Sequence, residues 1–259
     1  MPISRKIMGV SRVSAPNRKG IFGFGLIQNG DRVATTNLVS NTGVVSSDTT
    51  SVASARSQAA GCGYGTDKGI FGFGWTNTYS NLTNLISNIG VLATDISGIG
   101  TPRPAIMACS YGTDKGIFGF GSNTSGGTSA ITNLLSNTGV VSSDTAGVVS
   151  GRFSISACGY GTDKGIFGFG YITGTTNITT KVSNTGVIVG DTAGVGTART
   201  DLAACGYGTD KGIFGFGSYG SPTTKVSLTN LISNTGVVST DTTGVGTTKN
   251  SIGASSYGS

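Results

Sequence analysis

The sequence predicts an all-β fold, and three observations lead to that prediction. Gly is very abundant, with 45 copies in 259 residues, and charged residues make up only 11% of the chain. Short apolar segments rich in Val, Ile and Phe alternate with turns rich in Gly, Asn, Ser and Thr. These segments return at a regular spacing. Short strands joined by tight turns are typical of such a pattern.

The regular spacing comes from five copies of one unit, found with three recurring motifs and a basic residue. The motif KGIFGFG begins at Lys19, Lys68, Lys115, Lys164 and Lys211. The motif SN(T/I)GV begins at Ser40, Ser87, Ser136, Ser183 and Ser233. An Asp in a turn follows at Asp48, Asp95, Asp144, Asp191 and Asp241. The basic residue of each unit is Arg56, Arg103, Arg152, Arg199 or Lys249.

Each unit divides into four apolar runs, which in the last full unit read LAACGYG, KGIFGFG, TKVSLTNLIS and GVVST. TDKG and SNTG join them and have the composition of hairpin turns. The unit therefore predicts a four-stranded antiparallel meander. One meander cannot bury both faces, so units must stack, either as an open β-solenoid or as a closed ring of blades. Two hairpins per unit favour the ring, which is a β-propeller.

Strict alternation along KGIFGFG predicts how the units stack. It places Phe71 and Phe73 on one face of the strand and Ile70 and Gly72 on the other. We expect the Phe pair of one unit to pack on the Gly face of the next.

The two ends of the chain complement each other. SIGASSYGS at the C-terminus matches the start of a further unit, with Tyr257 in the place of Tyr207, whereas the segment before the first KGIFGFG matches poorly. We expect residues 251–258 to supply the inner strand of the first blade. The prediction is one five-bladed β-propeller of four-stranded antiparallel blades, residues 19–259, closed by the C-terminal strand.

Residues 1–18 are predicted to form a separate basic arm. Residues 1–19 hold five basic residues and no acid, although the other 12 basic residues almost balance the 11 Asp. Such an arm can contact an acidic surface or a partner subunit, or stay solvated. The candidate anchoring residues are Arg5, Lys6, Arg12 and Arg18.

Composition also argues against catalysis. The chain has no His and no Glu, which removes the commonest general base and a common metal ligand. We expect no enzyme activity, no cofactor and no metal. The repeated Asp and Arg are read as inter-blade ion pairs or turn caps. Equivalent inner-strand cysteines would stand about 8 Å apart, too far for disulfides, so we read them as small buried fillers. These are Cys62, Cys109, Cys158 and Cys205.

The units differ most just after KGIFGFG. The segments there read LIQNGDR, WTNTYS, SNTSGGT, YITGTT and SYGSPTT. Aromatic side chains among Asn, Ser, Thr and Gly can stack on sugar rings or dock a protein, or they cap blade edges. The candidate ligand-binding residues are Trp75, Tyr79, Tyr171 and Tyr219.

RTDLAACGYGTDKGIFGFG, from Arg199 to Gly217, resembles the kelch repeat in its order of a basic residue, a small-residue strand, a hairpin and hydrophobic–aromatic–Gly. Phe-Gly stands where kelch has a double Gly, and the later kelch Trp is missing. In style the chain also resembles propeller-repeat proteins encoded by bacteriophages near tail and virion genes. In size, but not in motif, the repeat resembles a five-bladed animal lectin family.

These resemblances imply a non-catalytic virion protein, such as a tail fibre, spike or decoration component that binds a host surface. The arm would bind other virion proteins, and loops would meet a host glycan or protein. A free multivalent lectin is the alternative, and an enzyme comes third. With no long apolar run, we expect synthesis in the host cytoplasm without a signal peptide, no membrane insertion and no specific nucleic acid. Homo-oligomerisation is left open.

Overall fold

The structure, a computed structural model, describes residues 19–254 and residue 256. The basic arm, with Arg5, Lys6, Arg12 and Arg18, lies outside the described residues, as does Tyr257. The described residues form β-strands and no helix, so the all-β prediction is confirmed. The strands are β1 (Gly20–Leu26), β2 (Arg32–Val39), β3 (Ala60–Tyr64), β4 (Lys68–Trp75), β5 (Tyr79–Ile86), β6 (Met107–Tyr111), β7 (Lys115–Gly119), β8 (Thr132–Leu135), β9 (Ser156–Tyr160), β10 (Lys164–Gly168), β11 (Thr179–Val182), β12 (Ile188–Thr192), β13 (Ala203–Tyr207), β14 (Lys211–Gly215), β15 (Ser218–Tyr219), β16 (Thr224–Lys225) and β17 (Thr229–Ile232).

The strands form small antiparallel sheets, one main sheet for each sequence unit. Unit 1 contains β1 and β2, unit 2 β3–β5, unit 3 β6–β8, unit 4 β9–β12, and unit 5 β13, β14 and β17, with β15 and β16 as a side hairpin. Unit 4 is a complete four-stranded meander in the order β12-β11-β10-β9. Elsewhere the fourth strand is reduced to isolated bridges, such as Thr83 with Ile96 and Ile86 with Leu92 beside β5.

A bulge in the FGFG segment corrects the predicted strand faces. The pairing of β4 with β5 shifts between Gly72 and Gly74, and Phe73 between them has a left-handed backbone with φ 62°. A bulge adds one residue to a strand, so the alternation of side chains breaks there. The prediction that Phe71 and Phe73 share a face is therefore wrong. The same left-handed conformation occurs in every unit, at Phe24, Phe73, Phe120, Phe169 and Phe216.

Because of the bulge, units 2, 3 and 4 each contact both of their neighbours through a Phe ring. Phe71 packs edge-on against Phe24 of unit 1, with ring centroids 5.4 Å apart. Phe73 packs against Phe118 of unit 3 at 5.2 Å. The Phe118 ring also covers Gly72, where a Cβ atom would lie 3.0 Å from the ring. The prediction that the Phe pair of one unit packs on the Gly face of the next is therefore also wrong. Only the first Phe of a unit packs on a Gly of an adjacent unit, and that Gly belongs to the preceding unit.

A buried arginine in each linker joins two successive units. Arg103, between units 2 and 3, has no exposed surface, and its guanidinium carbon lies 4.6 Å from the centre of the Phe73 ring. Its Nε donates to the carbonyl oxygen of Phe120 at 2.8 Å, and Nη2 donates to Oδ1 of Asn133 at 2.5 Å. Nη1 lies 3.8 Å from a carboxylate oxygen of Asp144. One side chain therefore stacks on the unit before it and pairs with the unit after it.

The ring stacking and the ion pair repeat at every linker between described units. The Nε bond to a Phe carbonyl is found for Arg103 and Arg199, whereas Nε of Arg56 and of Arg152 has no hydrogen-bond partner. The ion pairs are Arg56–Asp95 at 3.4 Å, Arg103–Asp144 at 3.8 Å, Arg152–Asp191 at 3.0 Å and Arg199–Asp241 at 3.6 Å. All four arginine side chains are fully buried. The prediction of ion pairs between units is confirmed for these four pairs. Sequence reasoning missed their second partner, a polar residue three positions before each SN(T/I)G motif, found here at Asn84, Asn133, Thr180 and Asn230.

Replacing Arg103 with Ala is expected to lower the free energy of unfolding by about 3–5 kcal/mol, because the change leaves Asn133 and Asp144 without their partner and empties a buried site. Arg103→Lys should cost clearly less, since the chain itself places Lys249 over the Phe216 ring at the matching position. Urea unfolding of both variants provides the measurement. A loss below about 0.5 kcal/mol for Arg103→Ala would contradict this role for the buried arginine.

The paired carboxylates predict acid sensitivity. Burial alone would raise the pKa of Asp144, but hydrogen bonds from Thr101 and Asn133 and the charge of Arg103 outweigh it, so the pKa lies below the ordinary 3.8. Asp95, Asp191 and Asp241 are lowered in the same way. A lowered folded-state pKa stabilises the fold above the unfolded-state pKa, and this stability is lost as pH falls through the folded-state value. The melting temperature should stay level from about pH 7 to 5 and drop below about pH 4. A drop already between pH 7 and 5 would refute this assignment, since the chain has no His.

Candidate functional site

One of the variable residues of the repeat has a fixed place on the backbone. It directly follows FGFG and lies beside the residue that follows the linker arginine. Backbone bridges join Ser57 with Trp75, Phe153 with Tyr171 and Thr200 with Ser218, and Ser122 N donates to the carbonyl oxygen of Pro104. The side chain at this position differs between units and is Leu26, Trp75, Ser122, Tyr171 or Ser218. A near-constant scaffold therefore holds different side chains at equivalent points.

In unit 2 this position forms an aromatic pair. Trp75 ends β4 and Tyr79 begins β5, and the two residues are register partners across the hairpin. Their rings meet edge to face, with centroids 5.1 Å apart and an interplanar angle of 85°. The structure thus brings together two of the predicted ligand-binding residues, at strand ends rather than in an open loop.

Arg32, from unit 1, completes this group and was missed by sequence reasoning. Its guanidinium carbon lies 5.9 Å from the centre of the Trp75 ring, and its Nη1 donates to Oδ1 of Asn77 at 3.0 Å. The sequence alone could have singled out this residue, since Arg32 is the only arginine in the five variable segments. Only the packing of unit 1 on unit 2 brings it to the aromatic pair.

A pocket of about 400 Å³ opens over these side chains. Three successive units contribute to it. Unit 1 supplies Leu26 and Arg32, unit 2 supplies Trp75 and Tyr79, and unit 3 supplies Ser122 and Gly126. The linker residues Ser57, Gln58 and Pro104 complete the lining. The walls combine aromatic rings, hydroxyl groups, an amide and one cation, a mixture suited to binding a polar ligand that also has an apolar face.

The other two predicted aromatic residues lie in other units and do not line this pocket. Tyr171 of unit 4 packs on Phe153 with ring centroids 5.2 Å apart, and its hydroxyl donates to the carbonyl oxygen of Thr173 at 3.2 Å. Tyr219 of unit 5 pairs with Thr224 in the β15–β16 hairpin and is 36% exposed. Each unit therefore presents its own surface rather than a copy of one site.

The cysteines are free thiols in strands β3, β6, β9 and β13. Burial raises the pKa of Cys62 and of Cys158 to about 12 and that of Cys109 well above its ordinary value. At neutral pH these three groups are protonated, so they are poor nucleophiles and metal ligands. The Cys62 sulfur fills the space over Gly116, where a Cβ atom would lie only 2.6 Å from it. This contact supports the prediction of a buried filler.

Within residues 19–254 and at residue 256, His, Cys, Asp and Glu form no cluster of three or more that could hold a metal ion. In the same part of the chain, no helix is long and apolar enough to cross a membrane.

Comparison with protein-family models and with curated proteins finds no match for the chain. The resemblances to the kelch repeat and to phage propellers therefore stay predictions based on the motifs.

Proposed function

We propose that the chain is a non-catalytic display protein, a five-bladed β-propeller whose blades present different side chains from equivalent positions. The observation that carries the proposal is the variable position after FGFG, where Trp75, Ser122, Tyr171 and Ser218 share one backbone setting. A scaffold of this kind separates stability from recognition, because the surface can change without repacking the interior.

Ring closure is supported by matching unfilled contacts at the two ends of the array. The first Phe of units 3, 4 and 5 is fully buried against the unit before it, but the equivalent Phe22 of unit 1 is 58% exposed. At the other end, Gly215 has no Phe ring over it, unlike Gly72. Tyr207 of unit 5 is 39% exposed, whereas Tyr160 of unit 4 is 5% exposed. If unit 1 packed against unit 5, the Phe22 ring could cover Gly215, and Tyr207 would become buried as Tyr160 is.

Charges at the ends match in the same way. Asp48 of unit 1 accepts a hydrogen bond from Asn37 at 2.7 Å but forms no ion pair with a described residue. Lys249 lies over the Phe216 ring, at the place where the preceding linkers hold arginine. In a closed ring Lys249 would face Asp48, completing a fifth pair.

The C-terminal segment continues the repeat beside unit 5. Ser256 Oγ donates to the carbonyl oxygen of Gly206, as Ser110 Oγ of unit 3 does to that of Gly63 in unit 2. This equivalence supports the proposal that residues 251–258 supply the fifth inner strand. Residues 251–254 and 256 have no strand structure, and β1 pairs only with β2 among the described strands.

Closure predicts a stability cost at an exposed residue. Phe22→Ala should destabilise a closed ring by about as much as Phe118→Ala, roughly 3–5 kcal/mol, because both rings would be buried between blades. The free energy of unfolding in urea measures this cost. It should not change with protein concentration, which separates closure within one chain from pairing between chains. A Phe22→Ala variant as stable as the parent would overturn closure.

The proposed setting is a phage virion, as a tail fibre, spike or decoration component that binds a host surface. The basic arm would bind other virion proteins and leave the variable positions facing outward. The motif resemblance and the concentration of positive charge in residues 1–18 support this setting. A free carbohydrate-binding lectin is the second candidate, favoured by the polar and aromatic lining of the unit 2 pocket.

Deleting residues 1–18 tests the setting. The truncated protein should melt at nearly the same temperature, because blade packing does not require the arm, and it should no longer enter the particle. Quantitative mass spectrometry of purified particles measures incorporation. The full-length Trp75→Ala/Tyr79→Ala variant is the matched control and should be incorporated normally. Normal incorporation of the truncated protein would exclude the arm as the anchor, and absence of the parent chain from particles would favour the free lectin.

A further inference from the structure

Arg32 differs from the other arginines of the described chain because it has no ionic partner among the described residues. Arg56, Arg103, Arg152 and Arg199 are each buried and paired with an Asp of the following unit. Arg32 forms no ion pair with any described residue. Its side chain is only partly buried, and its nearest described polar partner is the neutral amide of Asn77. Its Nε is buried without a hydrogen-bond partner.

Two neighbouring side chains fix the position of the Arg32 guanidinium. The Asn77 amide holds one end of the guanidinium, and the Trp75 ring lies beside it. Asn77 belongs to the turn between β4 and β5, so the hairpin that carries the aromatic pair also orients Arg32. The terminal nitrogens of a guanidinium held in this way can donate charge-assisted hydrogen bonds to a carboxylate. The arrangement is prepared for an anion that the described chain does not provide.

The rest of the lining selects for a polyhydroxylated ligand. Ser57, Gln58 and Ser122 offer hydroxyl and amide groups around the pocket, and Trp75 with Tyr79 offers aromatic surface. Aromatic rings pack against the C–H face of a sugar ring, while hydroxyl and amide groups bind its hydroxyls. The volume of about 400 Å³ falls in the range of roughly 300–1,000 Å³ typical of small-ligand sites.

Building on the proposed binding function, we propose that this pocket binds a sugar residue that carries a carboxylate, of the sialic acid or uronic acid class. The sugar ring lies against Trp75, the carboxylate pairs with Arg32, and the hydroxyls reach the polar side chains of the linker and of unit 3. The site is specific to the junction of units 1 to 3, because Arg32 is the only arginine in the five variable segments. The equivalent aromatic residue of unit 4, Tyr171, therefore has no arginine from a variable segment beside it.

Titration calorimetry of the full chain with three sugars tests the proposal. N-acetylneuraminic acid and glucuronic acid should bind at least about tenfold more tightly than the uncharged N-acetylglucosamine, because only they can pair with the guanidinium. Arg32→Gln should remove this preference for acidic sugars, and Arg32→Lys should restore part of it. Trp75→Ala should abolish binding of all three sugars. The matched control is Val187→Ser, an exposed residue of unit 4, which should bind like the parent.

Three results would overturn the inference. The first is equal affinity for acidic and neutral sugars, and the second is an Arg32→Gln variant that keeps the preference. The third is tighter binding of an acetylated Glu-Glu dipeptide than of either acidic sugar, which would assign the pocket to an acidic protein partner. Melting curves of every variant show whether a loss of binding reflects unfolding. Failure here leaves the display function standing, because particle incorporation after arm deletion tests that function separately.

Discussion

The architecture depends on one buried interaction, the linker arginine that stacks on a Phe of one unit and pairs with an Asp of the next. Desolvating a guanidinium is costly, and burial lowers the pKa of Arg103 to about 10, still far above neutral pH. The cost is offset by partners that are spread over two units and the linker itself, which for Arg103 are Phe120, Asn133 and Asp144 of unit 3 and Thr101 of the linker. A unit on its own would leave this cation unsatisfied. The arginine therefore makes each unit depend on its neighbour and helps to fix their relative orientation.

The stacking of the linker arginine also depends on the left-handed backbone of the second Phe in FGFG. A non-glycine residue at φ 62–67° is strained by roughly 1–2 kcal/mol. The strain is offset because the bulge turns Phe73 toward the following unit, where its ring packs against Phe118 and receives the Arg103 guanidinium. Without the bulge both Phe rings would face the preceding unit, and the arginine would have no aromatic surface to stack on. The glycines on either side allow the close approach that this packing needs.

The sequence was sufficient to predict the features that recur in every unit. Motif spacing gave the five units, turn composition gave the hairpins, and the recurrence of Asp and Arg indicated ion pairs between units. The face of the strand on which Phe73 lies could not be predicted, because the two-residue alternation of side chains does not show where a strand has a bulge. Trp75 and Tyr79 were found as the single Trp and a non-repeated Tyr. Arg32 was missed because it is distant in sequence, and only packing between units brings it to the pair.

The variable positions lie beside the linkers that hold the buried arginines. Each linker arginine is buried, but the residue after it lies beside the variable position that follows FGFG, as Ser57 lies beside Trp75. The glycine just before the variable position is held by the arginine of the following linker, since Gly74 N donates to Arg103 O and Gly25 N to Arg56 O. A side chain one residue away can change freely while that backbone stays fixed. A ligand bound at this point would contact two units and a linker at once, so binding would also strengthen the junction that the arginine maintains.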